Sequence, residues 1–154
     1  MSVTHADIWS SYAQAALGRA GHRSGGARNA VVQLLGEQDC CLSAQEIFDA
    51  LRQRRKRSVG LASVYRVLEL LLSLELVQRI DVGDGVARYE ALDPSGHHHH
   101  HLLCDRCGRV MAFEDAGLES AIDELSARLG SEVVRHDVLL HGKCPDCTAT
   151  APGD

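Results

Sequence analysis

The sequence predicts an α+β chain of two domains, and three features carry that prediction. Apolar residues recur at helical spacing through the first half and then give way to two short β-type runs around Gly83, Asp84 and Gly85. Asp93, Pro94, Ser95 and Gly96 interrupt the chain with linker chemistry. Beyond them stand five consecutive histidines, His97 to His101, and two Cys-x-x-Cys pairs.

Residues 5–17 form the first predicted helix, which closes near 18–21. Residues 27–36 form the second, with Ala30, Val31, Leu34 and Leu35 at helical spacing. Ser43 followed by Glu46 is a capping box, so a third helix starts there and runs to about residue 54. After the basic run 52–57 and a break at Gly60, the segment LASVYRVLELLLSLEL, 61–76, has the strongest helical pattern in the chain. Strands are expected over 77–82 and 86–91, joined by the glycine turn. Helices followed by a hairpin are the pattern of a winged helix-turn-helix domain, expected over residues 1–92. Residues 93–96 are expected to be a hinge linker. Residues 97–154 read as a small α/β domain: a strand, a Cys-x-x-Cys turn, a strand over 109–113, one amphipathic helix over 115–129, and a final strand over 132–141. Residues 148–154 look like a frayed tail.

At 154 residues, 45% of them apolar, the chain can close two small cores, and 4% aromatic content makes those cores aliphatic. No signal-peptide core and no apolar run of spanning length occurs, so the expected compartment is the cytoplasm, without membrane contact. Thiols stay reduced there, and six cysteines are then metal ligands before they are disulfide partners. The net charge of -5 divides unevenly: residues 1–92 hold 11 Lys+Arg against 10 Asp+Glu, and residues 93–154 hold 5 against 11. A near-neutral half with clustered arginines can approach DNA, while an acidic half rich in His and Cys suits cations. No His-Glu-x-x-His or comparable catalytic pattern occurs, which argues against an enzyme.

On the 61–76 helix, Leu61, Val64, Leu68, Leu71 and Leu72 share one face, and Ala62, Ser63, Arg66, Glu69 and Ser73 the other. Small residues near its start, Ser63 among them, leave room to enter a major groove. Arg66 can take a guanine or a phosphate, and Tyr65 a thymine methyl or the backbone; the alternative is that Tyr65 packs the core and Arg66 is solvated. Arg57 belongs to a basic turn that is either solvated or touches phosphate.

Cys104, Cys107, Cys144 and Cys147 form two turns that can each aim two thiolates the same way, which is the donor set of a structural zinc site. If the histidine run is extended, His97, His99 and His101 lie on one face and His98 and His100 on the other, so one strand can serve two sites. Completing ligands must come from elsewhere, and Glu90, the Cys40 and Cys41 pair, Glu119 and His136 are the candidates. Taken alone, Glu119 reads as a solvated helix residue and His136 as a surface imidazole.

The combination of GLASVYRVLELL, RYEA, HHHHHLLCDRCG and a histidine ahead of a closing CPDC resembles the ferric uptake regulator (Fur) family of bacterial metal-sensing repressors, over residues 21–147. The resemblance implies a homodimer with an N-terminal winged helix for double-stranded operator DNA and a C-terminal dimerisation domain. It implies three metal sites: structural zinc on Cys104, Cys107, Cys144 and Cys147; a sensing site on Glu90, His99, His101 and a ligand just ahead of the third helix; and a dimerisation-domain site on His98, His100, Glu119 and His136. Cys41 holds the position where iron sensors of the family usually carry histidine, with Cys40 beside it. Ala112 replaces an acidic residue often found on the strand after the first Cys-x-x-Cys. Gly25, Gly26 and Ala27 replace the usual cap of the second helix but leave Arg28, a candidate DNA contact. A thiolate at Cys41 softens the sensing site and favours zinc over iron as the second divalent metal. The cysteine that zinc sensors of the family place nearer the histidines is here Leu92. The expected function is a metal-dependent repressor of metal-uptake genes, of the zinc uptake regulator (Zur) type, that grips palindromic DNA when loaded; an iron-responsive repressor or an iron-dependent peroxide sensor is the alternative.

Overall fold

Four helices and a small sheet enclose one aliphatic core in the first of two units, Met1–His97; the second unit is His98–Asp154. The computed structural model describes residues 5–54, 59–96 and 98–149, so Arg57, His97 and most of the predicted tail lie outside the described residues. In the first unit α1 (His5–Arg19), α2 (Gly26–Gly36), α3 (Ala44–Gln53) and α4 (Leu61–Ser73) precede the hairpin β2 (Val77–Asp81) and β3 (Ala87–Ala91). Trp9, Leu34, Leu35, Ile47, Leu51, Leu68, Leu71 and Leu76 are each at most 1% exposed and form the centre of the core. The indole Nε1 of Trp9 donates to the Leu92 carbonyl at 3.0 Å, tying α1 to the chain just after β3. This is a winged helix-turn-helix.

Local chemistry accounts for most element boundaries. The capping box forms as its residues require: Ser43 Oγ accepts from the Glu46 N–H at 3.2 Å, and the Ser43 N–H donates to Glu46 Oε2 at 2.7 Å. The N-cap of α2, Gly25, makes no side-chain cap hydrogen bond. Two features depart from expectation. A two-residue strand, β1 (Leu42–Ser43), pairs antiparallel with β3, giving the sheet order β1-β3-β2. It is too short to leave a periodic signature. The predicted 61–76 helix stops at Ser73, because Glu75 turns left-handed at φ 53 and the Leu76 and Glu75 N–H groups close back on the Leu71 and Leu72 carbonyls. That is a Schellman ending without its usual glycine. The buried arc of α4 also includes Val67, because α4 packs against α2, α3 and β2 rather than one neighbour.

In the second unit β4 (His100–Cys104) is central, with β5 (Val110–Phe113) antiparallel on one side and β6 (Leu139–Gly142) parallel on the other. Helix α5 (Ala116–Leu129) is capped by Asp115, whose side chain accepts from the Leu118 N–H at 2.7 Å, and ends on left-handed Gly130. The final strand is shorter than the predicted 132–141. Ser126 Oγ donates to the Ser131 carbonyl and accepts from the Val133 N–H, which engages those backbone groups outside any ladder and leaves Val134 85% exposed. His136 therefore lies ahead of β6 rather than on it. Thr148 and Ala149, expected in the tail, belong to α6 (Pro145–Ala149), where the Cys144 carbonyl accepts from the Thr148 N–H at 2.9 Å.

Candidate metal centres and DNA-facing helix

The two Cys-x-x-Cys turns meet because the strands that feed them are neighbours. β4 and β6 run parallel with Cys104 opposite Gly142, so both chains enter their turns at the same end of the sheet. In the first turn the Gly108 N–H donates to the Cys104 carbonyl at 2.8 Å, and Gly108 takes φ +73, a conformation that favours glycine. The four sulfurs of Cys104, Cys107, Cys144 and Cys147 lie within 4.8 Å of one another, and Cys107 Sγ is 3.8 Å from Cys144 Sγ. A tetrahedral zinc with bonds of about 2.3 Å separates its sulfurs by about 3.8 Å, so the donor set fits. Backbone N–H groups of Cys144 and Cys107 hold the Cys104 thiol down at about 6, whereas the neighbouring sulfurs, Cys144 foremost, push Cys147 up to about 12. Four thiolates this close repel one another, and a dication removes that repulsion.

Two contacts between the turns had no role in the sequence reading. Arg106 Nη1 donates to the Cys147 carbonyl and Arg109 Nη1 pairs with Asp146, both at 3.0 Å. Opposite charges in and beside the two Cys-x-x-Cys motifs were the available signal.

A second cluster forms on β4 and α5. His100 is 1% exposed, with Nε2 2.7 Å from Glu119 Oε1; His136 Nε2 lies 3.0 Å from Glu119 Oε2; and His98 Nε2 lies 3.0 Å from His136 Nε2. His100 and then His136 hold the Glu119 carboxyl below the usual carboxylate range. Three imidazole nitrogens and one carboxylate oxygen within 4.8 Å make a donor set suited to zinc or a divalent transition metal. The alternation predicted for the histidine run appears in part: His98 and His100 share this cluster, while the rings of His99 and His101 stand 5.5 Å apart as a separate pair.

The remaining predicted ligands, Cys41 and Glu90, belong to the first unit. Cys41 is 5% exposed just before β1, and its thiol is pushed up by the Cys40 sulfur and by burial. Glu90, on β3, is 4% exposed and accepts from Gln78 Nε2 at 2.5 Å. Gln78 is its cross-strand partner in the hairpin register, a contact that a register assignment would have found.

Along α4, Tyr65 is 47% exposed rather than packed in the core, and Arg66 is exposed with Nη2 3.1 Å from Ser63 Oγ. Arg28 is half-buried and donates to the Arg23 carbonyl, which occupies it within the loop ahead of α2. Arg54, at the edge of the basic run, pairs with Glu37 at 2.6 Å.

Comparison with known proteins agrees with this architecture. Residues 19–141 match the Ferric uptake regulator family. The chain is 37% identical over 122 residues to the ferric uptake regulation protein of Bacillus subtilis, covering 78% of this chain and 81% of that one. It is also 37% identical over 128 residues to the zinc uptake regulation protein of Mycobacterium tuberculosis, covering 83% and 96%. The crystal structure of the Vibrio cholerae ferric uptake regulator superimposes with a TM-score of 0.72 at 32% identity, over 85% of this chain and 98% of that one. The chain therefore belongs to the ferric uptake regulator family, whose members are metal-responsive transcriptional regulators and not enzymes.

Proposed function

We propose that this protein is a cytoplasmic, zinc-responsive repressor that binds palindromic operator DNA as a homodimer and controls metal-uptake genes. The observation that carries the metal half of this reading is the convergence of four sulfurs in one cluster and of three imidazoles with a carboxylate in another. In this reading residues 1–92 are the DNA-binding domain, 93–96 the hinge, and 97–154 the metal-binding dimerisation domain. Cys104, Cys107, Cys144 and Cys147 hold structural zinc; His98, His100, Glu119 and His136 hold a second divalent ion. Cys41 and Glu90 from the first unit, with His99 and His101 from the second, are the sensing ligands. A bound dication supplies positive charge and coordination bonds to these donors. Donors on both sides of a hinge make domain orientation depend on ligation, and a dimer needs a defined orientation to match two half-sites.

Zinc is preferred because Cys41 contributes a soft donor. Dimerisation is supported by the second unit itself, where α5 has no buried residue and Leu125, Leu129 and Leu140 are 45%, 64% and 45% exposed. DNA contact is assigned to Ser63, Tyr65 and Arg66 of α4, together with Arg28 and Arg57.

The test is binding to a palindromic duplex selected from random DNA by the zinc-loaded protein. Zinc should promote binding and iron(II) should not. Arg66→Ala should weaken it by about 1 to 3 kcal/mol at matched salt with metal content unchanged. Equal affinity in the two proteins removes Arg66 from the interface. Activation by iron alone overturns the choice of metal.

A further inference from the structure

Cys40 and Cys41 form, we propose, a two-thiolate clamp, so that the sensing metal takes two sulfurs from the segment ahead of α3 rather than one. Consecutive residues in an extended chain point to opposite faces. Here Asp39 and Cys40 sit in a bend before β1, and the two sulfurs lie 3.9 Å apart. Two bonds of about 2.3 Å at a tetrahedral angle span about 3.8 Å, so the pair already has the bite that one zinc ion requires. The same spacing is far from the roughly 2.05 Å of a disulfide, which adjacent cysteines form only with strain.

The two arms differ. Cys41 is buried and anchored by the pairing of Leu42 with Tyr89, whereas Cys40 is half-buried. With Cys40 as a ligand beside Cys41, the cation takes two of its bonds from sulfurs of one short segment. A donor set with two sulfurs selects zinc over the harder divalent metals more strongly than a set with one. This inference rests on the reading that Cys41, His99 and His101 are the sensing ligands, and the test separates the two.

The experiment adds cobalt(II) to the full chain whose four-cysteine site retains zinc, checked by elemental analysis. The readout is the thiolate-to-cobalt charge-transfer band in the near ultraviolet, per chain at cobalt saturation. The His98, His100, Glu119 and His136 cluster contributes no such band, because it contains no sulfur. Wild type should give a band that falls to about half in Cys40→Ala and in Cys40→Ser and vanishes in the Cys40→Ala, Cys41→Ala double variant. Near-ultraviolet dichroism of Trp9 checks that the first unit stays folded in each. An undiminished band in both Cys40 variants, with loss in Cys41→Ala, overturns the clamp and leaves Cys41 as sole thiolate. No band in wild type overturns the clamp and the assignment of Cys41 together.

Discussion

Replacing Cys144 with serine tests how the second unit is held together. Among its described residues Leu103 is the one buried aliphatic side chain; the other buried residues are His100, His101, Cys104 and Cys144. Burying one leucine contributes about 2 kcal/mol. Ordering each residue of backbone costs about 1 to 2 kcal/mol, so this unit cannot be stabilised by its own aliphatic core. Structural zinc on four thiolates supplies about 10 to 16 kcal/mol, which makes ligation the dominant local contribution. Cys144→Ser removes one thiolate of a cluster in which Cys144 is 1% exposed and cannot be replaced by a solvent-facing neighbour. The expected outcome is loss of the structural zinc, loss of amide-exchange protection in β4, β5 and β6, and loss of the dimer. Trp9, the single tryptophan and 1% exposed in the other core, should keep its near-ultraviolet dichroism, because the first unit has its own buried cluster. Zinc content, hydrogen exchange resolved by segment, and dichroism give the three readings on one sample. Persistent protection of the β4 amides in a zinc-free Cys144→Ser dimer would refute the reasoning.

Two further predictions concern the winged helix. Glu75→Gly relieves a left-handed φ at the end of α4 and should be neutral to stabilising by up to about 1 kcal/mol in urea denaturation, the gain at φ offset by a more flexible unfolded chain; a clear loss would mean that the Glu75 side chain has a role of its own. Asp84 in the wing is held down to about 2, against an ordinary 3.8, chiefly by its hydrogen bonds from Arg88. Its folded value is depressed, so its contribution is complete above about pH 4 and is lost as pH falls through about 2. An NMR titration of the Asp84 carboxyl should find that low midpoint in wild type and a return toward the ordinary value in Arg88→Ala.

The helices of the first unit were legible in the sequence because their determinants are local. Apolar spacing marks α2 and α4, the Ser43 and Glu46 capping box marks the start of α3, and two positive-φ glycines at 83 and 85 mark the wing turn. Ligand chemistry was legible for the same reason: each Cys-x-x-Cys and the histidine run are short-range features. What escaped was decided by neighbours distant in sequence. Nothing near Glu75 announces a left-handed residue; β1 exists only because β3 accepts it; Val133 and Val134 have the composition of a strand but pair with no strand among the described residues. The donor clusters themselves belong to this second class. Sequence by itself determined which residues could bind a metal and which faces of an extended strand they would share. Only the tertiary structure decided that His100 meets Glu119 across 19 residues, that His98 meets His136 across 38, and that Cys107 meets Cys144 across 37. The reason is physical: a side chain's chemistry and its local direction are properties of a few residues of backbone, whereas the distance between two donors depends on strand register and helix placement, which the whole packed unit sets.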